Sequence, residues 1–178
     1  MKQVVSLLKP KPEKIAIDLD RDGQEAELLV AFVGKDKEEY LLAAQVFHQA
    51  LHTQSYTMVR GVLFDQAKAK VDGLIKIDKG AQHTNAFLEE KILLIGNRAQ
   101  ADAQPQLEIE ANEVKASHAA TVGTIDEEQL FYLMSRGLSR VQAVQQIVLG
   151  FLQPVLDRIK NKAVRSKIKQ NLTKRLRS

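Results

Sequence analysis

Four short stretches decide how this chain folds: Asp65-Gln66-Ala67-Lys68, Lys79-Gly80-Ala81-Gln82, Asn97-Arg98-Ala99-Gln100 and Glu110-Ala111-Asn112-Glu113. Each is a polar corner containing an alanine, and each follows an apolar run. The alanines at 67, 81, 99 and 111 are 14, 18 and 12 residues apart, an irregular repeat of the kind a coiling chain leaves in its sequence. The runs around them are strand-like. Ile15-Ala16-Ile17-Asp18-Leu19, Leu74-Ile75-Lys76-Ile77 and Leu107-Glu108-Ile109-Glu110 alternate, while residues 59–64 and 92–95 are more continuously apolar. A β-solenoid fits this pattern, because strands pair with the next rung and only compact residues fit the bends. So does an antiparallel sandwich with alanine in its turns. Two-residue hairpin signals are confined to Asp22-Gly23 and Asp72-Gly73, the second inside an apolar stretch. Periodicity leaves both architectures open and puts the solenoid ahead.

After Ile125 the period becomes helical. Asp126 can cap a helix that carries Glu127 and Glu128 in its first turn and Gln129 three residues on. Leu130, Leu133 and Met134 are spaced for one face, and Gly137 tolerates the left-handed conformation that ends a helix. Ser139 can cap a second helix with Val141, Val144, Ile147, Val148, Phe151 and Leu152 as its apolar side, and Pro154 calls for a kink or a new first turn. Leu156, Ile159, Val164, Ile168, Leu172 and Leu176 then make the tail an amphipathic helix. Two segments are expected: a β core over residues 1–125 and a helical region over 126–178.

Composition excludes several kinds of function. Of 178 residues 44% are apolar, enough for a self-sufficient core. With no cysteine there is no disulfide, thiolate metal site or cysteine nucleophile in this chain, and with no Trp and 5% aromatics a base-stacking platform is not expected. Residues 1–11 lack a secretory layout and no apolar run reaches membrane length, so a reducing, cytoplasmic setting and no membrane partner are expected. Charge is uneven. Residues 157–178 hold nine of the 26 Lys/Arg and one of the 22 acids, a basic tail on a mildly acidic body. That tail has no aromatic interleaving and fits no nucleic-acid motif, so nucleic acid is not an expected partner.

No catalytic signature is present: the nine glycines form no phosphate loop, and there is no GxSxG elbow. The acid pairs Glu38-Glu39, Glu89-Glu90 and Glu127-Glu128 carry no sign of burial, so general acid chemistry has no support. His48 and His52 would share a helix face as metal ligands, but the same stretch reads equally as strand, and structural histidines are the better reading. His83 reads as a surface residue. His118 has only small neighbours, which leaves its imidazole accessible to an interface or a metal.

Residues 105–123 resemble the P-x-L-E-I-x-A-x-x-V-x-x-S-H-G-A-T-x-G stretch of the SufB/SufD family, scaffold components of the SUF iron–sulfur cluster assembly system. Residues 130–139 are similar to its L-F-Y-L-x-S-R-G-I stretch, with Ala143 and Gly150-Phe151 at its A and GF positions. Arg60-Gly61-Val62-Leu63, Asp72-Gly73-Leu74-Ile75, Gly80-Ala81-Gln82-His83-Thr84 and Leu93-Leu94-Ile95 also fit, so the resemblance runs from about residue 52 to 151 and is nearer the SufD branch. Residues 1–39 match poorly. The resemblance implies a mainly β fold with C-terminal α structure: a right-handed parallel β-helix followed by a small helical region.

It also implies a non-enzymatic scaffold with two partners. One is a SufC-like ABC ATPase docked on the helical region through Phe131, Tyr132, Arg136, Gly137 and Phe151. The other is a SufB/SufD-type subunit, or a second copy of this chain as a dimer, met through the β-helix near Ser117 and His118. No cofactor is expected to bind stably. His118 is the candidate metal residue, for a transient iron or iron–sulfur cluster at that interface. The family's cysteine two residues before this histidine is Ala116 here, and its motif glycine is Ala119. A different class of function also suits the residues: a self-associating β-solenoid adaptor whose basic C-terminal helix binds an anionic partner.

Overall fold

The computed structural model describes residues 2–177. The strands come first: β1 (Lys2–Leu7), β2 (Pro12–Leu19), β3 (Glu25–Gly34), β4 (Glu39–His48), β5 (Gln54–Leu63), β6 (Lys68–Ile77), β7 (Asn85–Leu94), β8 (Gln100–Ile109) and β9 (Lys115–Thr124). Three helices follow: α1 (Glu127–Ser135), α2 (Arg140–Arg158) and α3 (Lys162–Arg177). Odd strands form one sheet in the order β1-β3-β5-β7-β9, even strands a second in the order β2-β4-β6-β8. Every pairing is parallel, which removes the antiparallel sandwich and leaves a solenoid of about four turns. Glu25 pairs with Gln54, Gln54 with Asn85 and Asn85 with Lys115, so one coil takes about 30 residues.

The four alanine corners fall between strands as expected, and all four alanines are buried. Their uneven spacing has a simple cause. Ala67 and Ala99 turn the chain from the first sheet to the second, whereas Ala81 and Ala111 turn it back, so the repeat alternates between two unequal corners. Asp72-Gly73 makes no hairpin and lies within β6. Alternate residues face the lumen: Leu28, Val30 and Phe32 of β3 meet Leu42, Ala44 and Val46 of β4 in one cluster, and Ile75, Ile77 and Leu88 anchor another further along.

The outer face of the first sheet is apolar too. Leu29, Ala31, Val33, Met58 and Val62 pack under Val148, Leu152, Val155 and Leu156 of α2 and Ile168, Leu172 and Leu176 of α3. That double burial explains why β3 reads almost without a polar residue. α2 crosses this face diagonally. Ile147 and Phe151 lie by Leu93 and Thr124 at the β7–β9 end, while Arg158 at its other end pairs with Glu27 of β3 at 2.8 Å. α3 then runs back over the first two coils, where Arg175 donates to the Val33 carbonyl at 3.0 Å and pairs with Glu38.

The helix ends follow sequence chemistry, with one correction. Asp126 Oδ1 accepts from the N–H of Glu128 at 2.9 Å, Gly137 takes φ +93°, and Ser139 and Gln142 form a capping box. α2 continues through Pro154 without a new first turn. The tail is not one helix, however: it breaks after Arg158, and Asn161 restarts it by accepting from the N–H of Ala163 at 3.0 Å. Ser178, the end of the expected helical segment, and Met1 lie outside the described residues. Among the described residues no helix is long and apolar enough to cross a membrane.

Gly61 shows how tightly the lumen is filled. A Cβ there would stand 2.2 Å from Cζ of the Phe32 ring. Gly61→Val is expected to destabilise the fold by about 1–3 kcal/mol through overpacking, read as a lower midpoint in urea denaturation. An unshifted midpoint would mean that Phe32 is free to move aside.

Candidate functional site

A solenoid hides the inner side chains of each rung beneath the next, and the last rung has no successor. β8 and β9 are the outermost strands at this end, so their inward positions are exposed. Register identifies those positions. His118 pairs with inward-facing Leu88, Ala120 with Glu90 and Val122 with Ile92; on β8, Pro105 stands over Gly73 and Ile109 over Ile77. Ile109 and Val122 remain 42% and 41% exposed. Pro105 suits this place, since an edge strand has no need of its missing N–H. Both strands also present one unpaired backbone edge.

His118 is therefore at the mouth of the lumen. Its ring is exposed and meets no hydrogen-bond partner among the described residues. Ser117 pairs with Phe87 and faces the opposite way, on the outer side of the sheet. The two neighbours in sequence therefore cannot present side chains to one ligand from this strand.

The second group of expected residues is gathered on the α1–α2 hairpin. Phe131 is 74% and Tyr132 56% exposed, with Met134 and Val141 also open. The Arg136 guanidinium lies 5.2 Å from the Tyr132 ring centre, and Gly137 makes the turn. Phe151 is placed differently. It belongs to α2 itself and is half-buried on that helix's sheet-facing side, with Arg60 of β5 5.2 Å from its ring centre, and lines a groove of about 460 Å³ with Leu93, Leu133 and Ile147. Leu130 is the one buried side chain of α1 among the described residues, so this helix leaves most of its surface to solvent.

The remaining histidines are structural. His48 ends β4 facing inward and is fully buried; Nδ1 is 2.8 Å from Thr53 Oγ1 and Nε2 2.8 Å from Ser55 Oγ. Thr53 Oγ1 is 2.9 Å from Thr84 Oγ1, whose hydroxyl donates to the Ala81 carbonyl. These groups are all satisfied when Nδ1–H donates to Thr53, Thr53 to Thr84 and Ser55 to Nε2. Burial holds the His48 pKa down at about 4, consistent with that neutral ring. His52 is not on a helix with it. It turns a corner at φ +57° and stacks on His83, itself at φ +60°, with ring centres 4.8 Å apart. Among the described residues no three His, Asp or Glu groups converge to hold a metal.

One site feature overturns an expectation. Glu90 is fully buried in the lumen, and neither carboxylate oxygen has a hydrogen-bond partner. It projects across to β6, where an added Cβ on Gly73 would lie 2.2 Å from Oε1. Burial, with a smaller push from the Asp72 carboxylate, raises its pKa to about 8. Adjacent Glu89 faces outward and pairs with Arg60 and Lys91, each at 2.7 Å. The signal was present in β7, where Ala86, Leu88, Glu90 and Ile92 share one face.

Residues 11–151 match the family described as SUF system FeS cluster assembly, SufBD core domain. The chain is 33% identical over 147 residues to the iron–sulfur cluster assembly protein SufD of Bacillus subtilis, covering 83% of this chain and 34% of that protein. It is 34% identical over 129 residues to SufD of Escherichia coli, covering 72% and 30%. An iron–sulfur cluster assembly SufBD family protein of Mycobacterium bovis is 34% identical over 128 residues, covering 72% and 15%. This chain thus spans about a third, or less, of the length of these curated relatives. The family match reaches back to residue 11, much earlier than the motifs suggested, and takes in β2, β3 and β4.

Glu90 and His48 predict opposite pH dependences. Native Glu90 keeps a proton that the unfolded chain releases above about 4.5, so stability falls as pH rises from there to about 8. Native His48 refuses a proton that the unfolded chain takes up below 6.5, so stability also falls as pH drops from there toward about 4. Glu90→Gln removes only the first slope. Thermal melts from pH 5 to 8.5 should show the wild-type Tm declining on the alkaline side of pH 6.5, where the variant stays level and is higher at pH 8, while both lose stability below pH 6.5 through His48. Parallel profiles would exclude a neutral buried Glu90.

Proposed function

The chain belongs to the SufBD core family of SUF-system iron–sulfur cluster assembly proteins, and from that membership we propose that it acts as a non-enzymatic scaffold subunit of a cluster-assembly complex. The partner at the open end of the solenoid is a SufB/SufD-type subunit or a second copy of this chain. The partner at the α1–α2 hairpin is a SufC-like ABC ATPase. The observation that carries this reading is the uncovered last coil: two strand edges and the inner side chains Ile109 and Val122 are left to solvent at the end that bears His118.

Strand addition suits such an end. A partner strand laid along β8 or β9 satisfies the unpaired backbone groups, while its side chains cover the inner row. His118 then lies in the joint, as an imidazole available to iron or a nascent cluster arriving there as cargo. The hairpin supplies a separate contact, with Phe131, Tyr132 and Met134 as apolar anchors and Arg136 held against the Tyr132 ring. Because α2 joins the hairpin to the solenoid, nucleotide-driven movement of the ATPase would reach the joint through α2.

Removing residues 126–178 is not a clean test, since α2 and α3 cover the apolar outer face of the first sheet. Point changes in solvent avoid that difficulty. Phe131→Glu combined with Tyr132→Glu is expected to cut co-purification with the SufC-like ATPase at least ten-fold and leave Tm unchanged. Undiminished retention would place the ATPase contact elsewhere. The adaptor reading draws on α3, whose apolar side is used against the first sheet while Lys162, Lys167, Lys169 and Lys174 are exposed. Salt-sensitive capture of anionic vesicles or nucleic acid, with no affinity for the ATPase, would favour it.

A further inference from the structure

We propose that His52 and His83 form a divalent-metal site on an outer corner of the solenoid, each imidazole giving one nitrogen to the same ion, with Glu113 as the carboxylate that orients His83. The site does not rest on the scaffold reading and is distinct from His118, which stands within β9 over Leu88. The corner repeats from coil to coil. Gly23, His52, His83 and Glu113 each stand two residues before the first residue of a strand, and those first residues, Glu25, Gln54, Asn85 and Lys115, pair in register. The backbone N–H groups of Gly23, His52 and His83 donate to carbonyls of the next coil, at Leu51, Gln82 and Glu113, which fixes the stack. Gly23, His52 and His83 share a left-handed conformation, with φ of +70°, +57° and +60°. Glycine takes that conformation without steric cost. Two successive coils carry an imidazole there instead.

The fold uses these rings only for stacking. Their centres are 4.8 Å apart and their planes 14° from parallel; both residues are exposed, and neither Nε2 has a hydrogen-bond partner among the described residues. Nδ1 of His83 lies 3.4 Å from Glu113 Oε2. A carboxylate at that nitrogen favours the proton there and leaves the Nε2 lone pair for a metal, as second-shell carboxylates do for ligating histidines. The separation suits a shared ion. An ion about 2.1 Å from Nε2 is roughly 3.2 Å from the ring centre, so two centres 4.8 Å apart meet it at about 100°, between the square and tetrahedral angles. Both rings must turn out of the stack to aim at it, a side-chain rotation that leaves the corner's backbone unchanged. Glu113 stays outside the coordination sphere, in keeping with the lack of three converging ligands among the described residues. Paired neutral imidazoles select nickel, copper or zinc over calcium or magnesium. The remaining positions of a four-coordinate ion go to water or to a donor from another molecule, so the bound ion is exchangeable.

The test is calorimetric titration of the untagged full chain with Zn(II), and a parallel titration with Cu(II) read by electron paramagnetic resonance, where each bound imidazole nitrogen splits the copper signal. Asparagine tolerates the left-handed conformation, so His52→Asn and His83→Asn remove a ligand and keep the corner; His118→Ala is the control. Each asparagine variant should weaken Zn(II) binding at least ten-fold and reduce the copper spectrum from two imidazoles to one, with the metal-free Tm unchanged. His118→Ala should keep the affinity and the two-imidazole spectrum. Glu113→Gln should weaken Zn(II) binding several-fold while copper still shows two imidazoles. Wild-type affinity in either asparagine variant, or a two-imidazole spectrum that survives the substitution, would overturn the shared site, as would loss confined to His118→Ala. Zn(II) binding untouched by Glu113→Gln would overturn the orienting role of that carboxylate and leave the two ligands standing.

Discussion

A parallel solenoid is held together by each rung burying the inner side chains of the one before it. Here that constraint sets almost everything else. It puts Leu28, Phe32, Leu42 and Val59 into one continuous column of core, and it demands compact corners, which Ala67, Ala81, Ala99 and Ala111 provide. It also guarantees that a lone end is incomplete. The inner residues of β8 and β9 have the composition of a core that was never closed: Ala103, Leu107, Ile109, Ala116, Ala120 and Val122. A histidine in that row is therefore unusual in kind. It occupies an interior register with exterior access.

The two candidate contact surfaces are unlike each other physically. The solenoid end offers straight backbone edges with small side chains, so recognition there would draw its affinity from main-chain hydrogen bonds. The α1–α2 hairpin offers protruding aromatic side chains on a helix that is buried through Leu130. Such a helix is cheap to reorient, because few apolar contacts are lost when it tilts. Stable packing resumes only with α2, where Val148, Leu152 and Val155 meet the first sheet.

Much of this fold is legible in the sequence. The alanine corners, the alternation at residues 15–19 and 74–77, and the caps Asp126 and Ser139 act through neighbours in sequence, and local chemistry of that kind survives folding. What was hidden depends on pairing. Glu90 looked like half of a surface acid pair beside Glu89, and only the inward register of β7 separates a solvated carboxylate from a buried one. His48 and His52 looked like possible partners through a four-residue step. In fact one faces the lumen at the end of a strand and the other turns a corner. The tail looked like one helix because its leucines keep a step of four, and the weight of a single Asn161 cap against that pattern was not apparent.

The diagonal course of α2 across the first sheet has a mechanical corollary. At about 1.5 Å per residue its 19 residues extend close to 28 Å, longer than the stack of coils beneath it at about 4.8 Å each. It therefore acts as a splint. Strain introduced near Thr124 is not confined to the terminal coil but is passed along a stiff rod to the Glu27–Arg158 clasp on β3. The coils would then be loaded as a single beam, and the cheapest way for that beam to yield is at its unsupported tip.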